Sequence, residues 1–367
     1  MTRREQRGFT LIELMVALLV SSLLVGMILA IFSRMSLAYR GQQQIAGVQQ
    51  VLAAARATIE LDAKQAGLGL SQGFRSVPTG AALQSPVKVI DSATAPDQIA
   101  FFYADTSTQA VVTGGALPTL QVDSAAGFIA GTRVVLSTGS TMQSPGHAIT
   151  DPYVASYQAC IVEIAVGGIA GTNITFSAAA PWGPSTAAGC AISAGTTMMY
   201  PLVAHAYRIN TAVPDRGALQ MSTTGNLLGV AETWTDLAYG FSDIQTAVRL
   251  EDNGVTGDID ADTDAARNWY SGANQVGATS LPITPAGSLV IGMSISLVAH
   301  TDRDVEGIAT AATPALTGAI VNNNNLGNRP STVLPLARPW PDPLLPGLAV
   351  YRYTTFTVDF RNLGVGQ

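Results

Sequence analysis

From Phe9 to Phe32 almost every position is apolar, and the one charged side chain inside the run is Glu13. About 24 residues rise ~36 Å as a helix, enough to cross a hydrocarbon core. Thr10, Ser21, Ser22 and Gly26 sit easily in a membrane helix, but a carboxylate is costly there and marks a functional position by default. Its closeness to the start of the run also lets it snorkel to the interface or take up a proton. Arg3, Arg4 and Arg7 precede the run, which keeps the N-terminus cytoplasmic and exports the bulk of the chain. A cleaved secretory signal would have a shorter apolar region closed by an A-x-A-like site, and neither is present.

After Arg34 the pattern becomes one-sided. Apolar Ile45, Val48, Leu52, Ala55 and Ile59 recur at spacings of three and four, with Gln42, Gln43, Gln49, Gln50, Arg56 and Glu60 largely between them. That is an amphipathic helix with one core-facing stripe, stopped by Gly67 and Gly69 in AGLGL. The spacing predicts one helix from about Phe9 to Ala66, ~87 Å long: residues 9–32 membrane-spanning, 33–66 amphipathic. From 67 to 367 the texture turns to short β-branched and aromatic runs between Gly, Pro, Ser and Thr clusters. QIAFFYA (98–104), TRVVLS (132–137), CIVEIAV (160–166), NITFS (173–177), MMYPLVAHAYRI (198–209), ALQM (218–221), LVIGMSISLVAH (289–300) and TTFTVDFRN (354–362) read as strands. Without βαβ alternation the sheets are antiparallel, which makes the class α+β. An Ala/Gly/Thr-rich stretch over about 107–195 reads as a β-rich insertion.

Composition narrows the function classes. Charged residues are 12% of 367, the net charge is −6, and no basic block follows the N-terminus, so no direct nucleic-acid-binding face is expected. Cys160 and Cys190 are the two cysteines. Exported, they are expected to pair and close a loop of about 30 residues, contributing ~3 kcal/mol; otherwise they are buried thiols.

The string GFTLIELMVALLVSSLL, behind its basic leader, resembles the N-terminus of type IV prepilins. The resemblance implies that residues 1–8 are a leader, that prepilin peptidase cuts after Gly8, and that Phe9 is then N-methylated. It also implies that Glu13, fifth in the mature chain, meets the new amino group of a neighbouring subunit during filament assembly. A buried cation and carboxylate are each costly alone and much cheaper together. Further on, LAYGFSDIQTAVRLEDNG, SLVIGMSISLVAHT and YRYTTFTVDFRNLG resemble the PilW family of minor pilins. The implied fold is pilin-like: a long N-terminal helix packed on an antiparallel sheet. The implied role is in starting or capping a type IV pilus, hence in adhesion, twitching motility or DNA uptake. Implied partners are other minor pilins and the major pilin, in the inner membrane and then on the pilus. A type II secretion pseudopilin of the GspJ kind shares this plan, though its members are usually shorter. A membrane-tethered periplasmic enzyme is the alternative from another class.

No catalytic constellation supports that last alternative. His147, His205 and His300 are scattered, no G-x-S-x-G elbow occurs, and GLGLSQG (67–73) follows a helix where a phosphate loop would follow a strand. Trp182, Trp234, Trp269 and Trp340 read as core or interface anchors. No cofactor is expected. Asp258, Asp260, Asp262 and Asp264 alternate like the first ligands of a Ca²⁺ loop, but Thr263 and Trp269 stand where an EF-hand needs Gly and Glu. A looser calcium loop and a solvated acidic turn both remain open.

Overall fold

The computed structural model describes residues 10–70, 74–76, 83–84, 86–90, 96–137, 159–177, 192–212, 217–223, 233–251, 269–270, 289–301 and 351–360. One helix, α1 (Leu11–Gln65), opens the chain. Its first thirty positions are exposed all round, and it meets the rest of the protein only from Gly41 onward. There Val48, Leu52, Ala55, Ile59 and Ala63 are buried at spacings of three and four, while Ile45 is half-buried. Burial of Val48, Leu52 and Ile59 contributes about 1.5–3 kcal/mol each. The helix stops where the glycines predicted it would: Ala66 is the C-cap, and Gly67 and Gly69 have φ of 84° and 71°. Gly69 lies so close to the sheet that a Cβ there would fall 2.6 Å from Ala104 Cβ.

Sixteen strands follow among the described residues. β1 (Phe74–Ser76), β2 (Leu83–Gln84), β3 (Val87–Ile90) and β4 (Gln98–Ala104) lead to β5 (Ala110–Ala116), β6 (Thr119–Val122), β7 (Arg133–Ser137), β8 (Ala159–Ala170) and β9 (Asn173–Phe176). Then come β10 (Met198–Asn210), β11 (Ala218–Ser222), β12 (Thr235–Tyr239), β13 (Phe241–Glu251), β14 (Trp269–Tyr270), β15 (Leu289–His300) and β16 (Tyr351–Asp359). Every pairing is antiparallel except the three-residue contact of β1 with β8.

Two sheets cradle α1. The first runs β3-β4-β10-β11-β12 and the second β14-β13-β15-β16. Alternation along each strand sends Val87, Val89, Ile99, Phe101, Tyr207, Ile209 and Leu219 from the first sheet toward the helix. Ile244, Met293, Ile295, Leu297, Phe356 and Val358 do the same from the second, and together they form one core. Asp97 joins the sheets: its N–H donates to Ile244 O (2.9 Å), and its carboxylate accepts from Thr246 N (2.8 Å) and Thr246 Oγ1 (2.9 Å).

Between β4 and its partner β10 the chain makes a separate excursion. β5 pairs with β6, β6 with β9, β9 with β8, β8 with β7, and both β7 and β5 pair with the start of β10. This circuit closes a six-stranded barrel. Val112, Leu120, Val122, Val134, Leu136, Val162, Ile164, Ile174, Phe176 and Met199 fill it. β10 belongs to both bodies: Met198–Pro201 is barrel wall, and Leu202–Asn210 is a central strand of the first sheet. The junction sits at the C-terminal end of α1, where Gly67 N donates to Phe102 O (3.0 Å) and Ala104 N to Leu68 O (2.8 Å).

Candidate functional site

Two groups of polar side chains stand out on α1, one at each end. At the start, Thr10 is the N-cap and Glu13 the third helical residue. Thr10 Oγ1 accepts from Glu13 N (3.3 Å) and donates to Glu13 Oε2 (3.0 Å), and the same oxygen accepts from Thr10 N (3.0 Å). This capping box satisfies helix-end donors that the helix itself leaves unpaired. A second, local role thus falls to the carboxylate expected to serve assembly. The sequence carries the signal, T-L-I-E, which is the capping-box pattern before an apolar run. Glu13 Oε1 accepts nothing from the described residues. Gly8 and Phe9 lie outside the described residues.

At the other end, Asp62 falls on the buried stripe of α1 and is 5% exposed. Its carboxylate accepts from Tyr103 Oη (2.9 Å), pairs with His205 Nδ1 (2.7 Å) and accepts from Tyr207 Oη. Burial alone would push this carboxyl up; hydrogen bonds from His205, Tyr207 and Tyr103 and the attraction of His205 outweigh it and hold the group below its ordinary value. Burial and the same carboxylate push both tyrosine hydroxyls up, so they stay protonated donors. The cluster docks the end of α1 onto β4 and β10, the strands that carry the barrel. Sequence reading passed over it, although Asp62 sits on the apolar stripe and His205 and Tyr207 share one strand face.

The remaining candidates separate. Cys160 is buried in the barrel and disulfide-bonded, while Cys190 lies outside the described residues. Asp258, Asp260, Asp262 and Asp264 also lie outside them, as do His147, Trp182 and Trp340. Trp234 lies under the Arg208 guanidinium, 4.2 Å from ring centroid to Cζ. Among the described residues no three His, Cys, Asp or Glu are arranged to hold a metal ion.

The family described as "Prokaryotic N-terminal methylation motif" matches residues 3–29. Among solved structures the chain is similar to the type IV-like pilin TTHA1219 from Thermus thermophilus, at 13% identity and a TM-score of 0.36, over 87% of this chain and 98% of that one. No curated protein matches the chain. The methylation motif thus heads a helix long and apolar enough to cross a membrane, and the second half of that helix packs on antiparallel sheets.

Proposed function

We propose that this chain is a minor subunit of a type IV pilus, of the PilW kind. It is inserted in the inner membrane with its N-terminus cytoplasmic, cut by prepilin peptidase between Gly8 and Phe9, and methylated at Phe9. It then joins other minor pilins and the major pilin through α1, starting or capping a filament that serves adhesion, twitching motility or DNA uptake. Glu13 receives the methylated amine of a neighbouring subunit, through the carboxylate oxygen its own capping box leaves open. Cys160 and Cys190 pair in the oxidising periplasm. The molecule is a structural component and not an enzyme.

One observation carries this reading: the methylation motif stands on a helix whose first half is exposed and apolar all round and whose second half alone is docked. A helix greasy on every face needs a lipid or protein surround, and membrane followed by filament core supplies both. Mass spectrometry of the mature N-terminus tests the first step, with N-methylated Phe9 expected and an intact Met1 refuting it. The second step is tested by Glu13→Gln, which keeps membrane insertion and removes the charge. Loss of the subunit from sheared filaments is expected; incorporation at the wild-type level would sink the assembly role.

A further inference from the structure

Outside α1, Ile129 and Val166 are the two most exposed large apolar side chains among the described residues, at 64% and 94%. Both sit on the barrel, and the backbone brings them together. Gly131 N donates to Ile164 O (2.9 Å) and Ile164 N to Thr132 O (2.9 Å). The turn that carries Ile129 therefore lies beside the stretch of β8 that carries Val166. That stretch is a bulge: from Ile164 to Ile169 β8 advances five residues, while β9 passes only from Phe176 to Ile174. The extra residues leave the ladder and carry Val166 outward. Glycine permits the detour: Gly167 has a φ of 74°, and a Cβ on Gly168 would fall 2.4 Å from Thr175 O. Residues 124–132 and 164–176 hold no charged side chain. At their border Arg133 and Glu163 pair across β7 and β8, 3.7 Å apart.

We propose that this apolar knob enters an uncharged lipid bilayer other than the one α1 spans. Two protruding aliphatic side chains expose far less than the about 800 Å² per partner of a stable protein interface. They suffice to dip into the boundary between headgroups and acyl chains, where apolar side chains bury ~5–10 Å deep. An anionic membrane is met through clustered lysine and arginine. The knob has neither, and Arg133 beside it is paired with Glu163, so a zwitterionic lipid fits. Strand β10 sets the barrel apart from the membrane of α1. Leu202 pairs with Ala104, whose N–H donates to Leu68 O, and Tyr207 reaches Asp62, so β10 runs back along α1 toward its start. The barrel precedes Leu202 and lies beyond the C-terminal end of a 55-residue helix whose exposed apolar half is at the other end. The inference rests on the filament-subunit reading above and names a lipid surface as the target of its adhesive role.

The test holds the full chain by α1 in nanodiscs and offers it fluorescent phosphatidylcholine vesicles at low and high salt. Vesicle capture above that of empty nanodiscs, unchanged by salt, is expected. Val166→Asp and Ile129→Asp should each lower capture by at least about tenfold, as the loss of one buried Val or Ile does, with the melting curve of the chain unchanged. Val166→Trp should keep capture, and its added fluorescence should be quenched by vesicles of brominated phosphatidylcholine. No capture above empty nanodiscs, capture equal in wild type and both aspartate variants, capture by anionic vesicles alone, or nanodiscs that join one another in place of vesicles would overturn the inference. The N-terminus of this chain, read by mass spectrometry from the same cells, separates the two claims. An unprocessed Phe9 refutes the filament reading, while a processed one without capture refutes only the lipid contact.

Discussion

Replacing Asp62 with Ala removes one acceptor and strands three donors. Tyr207 is fully buried, Tyr103 is 8% exposed, and His205 is half-buried. Hydrogen bonds to a charged acceptor are worth about 1.5–3 kcal/mol each, and a stranded buried donor costs ~1–3 kcal/mol. The three are coupled through one carboxylate and do not add, so a loss of about 3–5 kcal/mol is expected. For a domain of this size that is a fall in Tm of roughly 6–15 °C, read by near-ultraviolet circular dichroism of the full chain in detergent. The effect also carries a pH signature. The folded carboxyl titrates below its ordinary 3.8, so as pH falls the unfolded chain takes up the proton first. The contribution is therefore complete above 3.8 and disappears as pH drops through the lower folded value. Wild type and Asp62→Asn should differ at neutral pH and converge in strong acid. A fall in Tm of less than about 1 °C for Asp62→Ala would refute the view that this cluster docks the helix.

Lys88 is 8% exposed, and burial pushes its ammonium down to about 8 from 10.5. Its folded value is the lower one, so the cost is complete below pH 8 and fades as pH rises toward 10.5. Lys88→Met should accordingly stabilise the protein at neutral pH by on the order of 3 kcal/mol, a gain that chemical denaturation will show shrinking above pH 8. A Cβ on Gly217 would overlap the carbonyl oxygen of Phe241, where the two sheets cross; Gly217→Ala should lower Tm steeply, by more than Ile59→Ala, which costs about 2–5 kcal/mol. Asp97→Ala strands both Thr246 donors and should cost about 2–4 kcal/mol, with hydrogen exchange rising first along β13. Reduction of the Cys160 disulfide should lower stability by about 3 kcal/mol, measured by denaturant titration with and without reductant.

What could be read in advance follows from the range of the forces involved. Helix α1 and its stop depend on near neighbours, the stripe from Val48 to Ile59 and the glycines after Ala66, and the pattern showed them directly. The strand 98–104 was legible for the same reason, since QIAFFYA is a buried run between polar turns. β5 and β6 were not read: AVVTGGA and TLQV are short and rich in glycine and threonine, and only pairing within the barrel fixes them as strands. Closure of that barrel depends on β10 meeting both β5 and β7, contacts nearly ninety and about sixty residues apart in the chain, and no local signal records them. The Asp62 cluster stayed hidden likewise. Its carboxylate lies 41, 143 and 145 residues from its three partners, so sequence displayed a polar residue on an apolar stripe and not what satisfied it.

The shared strand β10 makes the protein a mechanical conduit. A tug on the barrel travels along Met198–Pro201 into Leu202–Asn210 with no hinge between them. It reaches the first sheet lengthwise, so the rungs to β4 and β11 resist together and do not peel one by one. Tyr207 and His205 hand that load to Asp62, near the C-terminal end of α1. The route from the barrel to the start of α1 is one covalent strand, two side-chain ties and one unbroken helix.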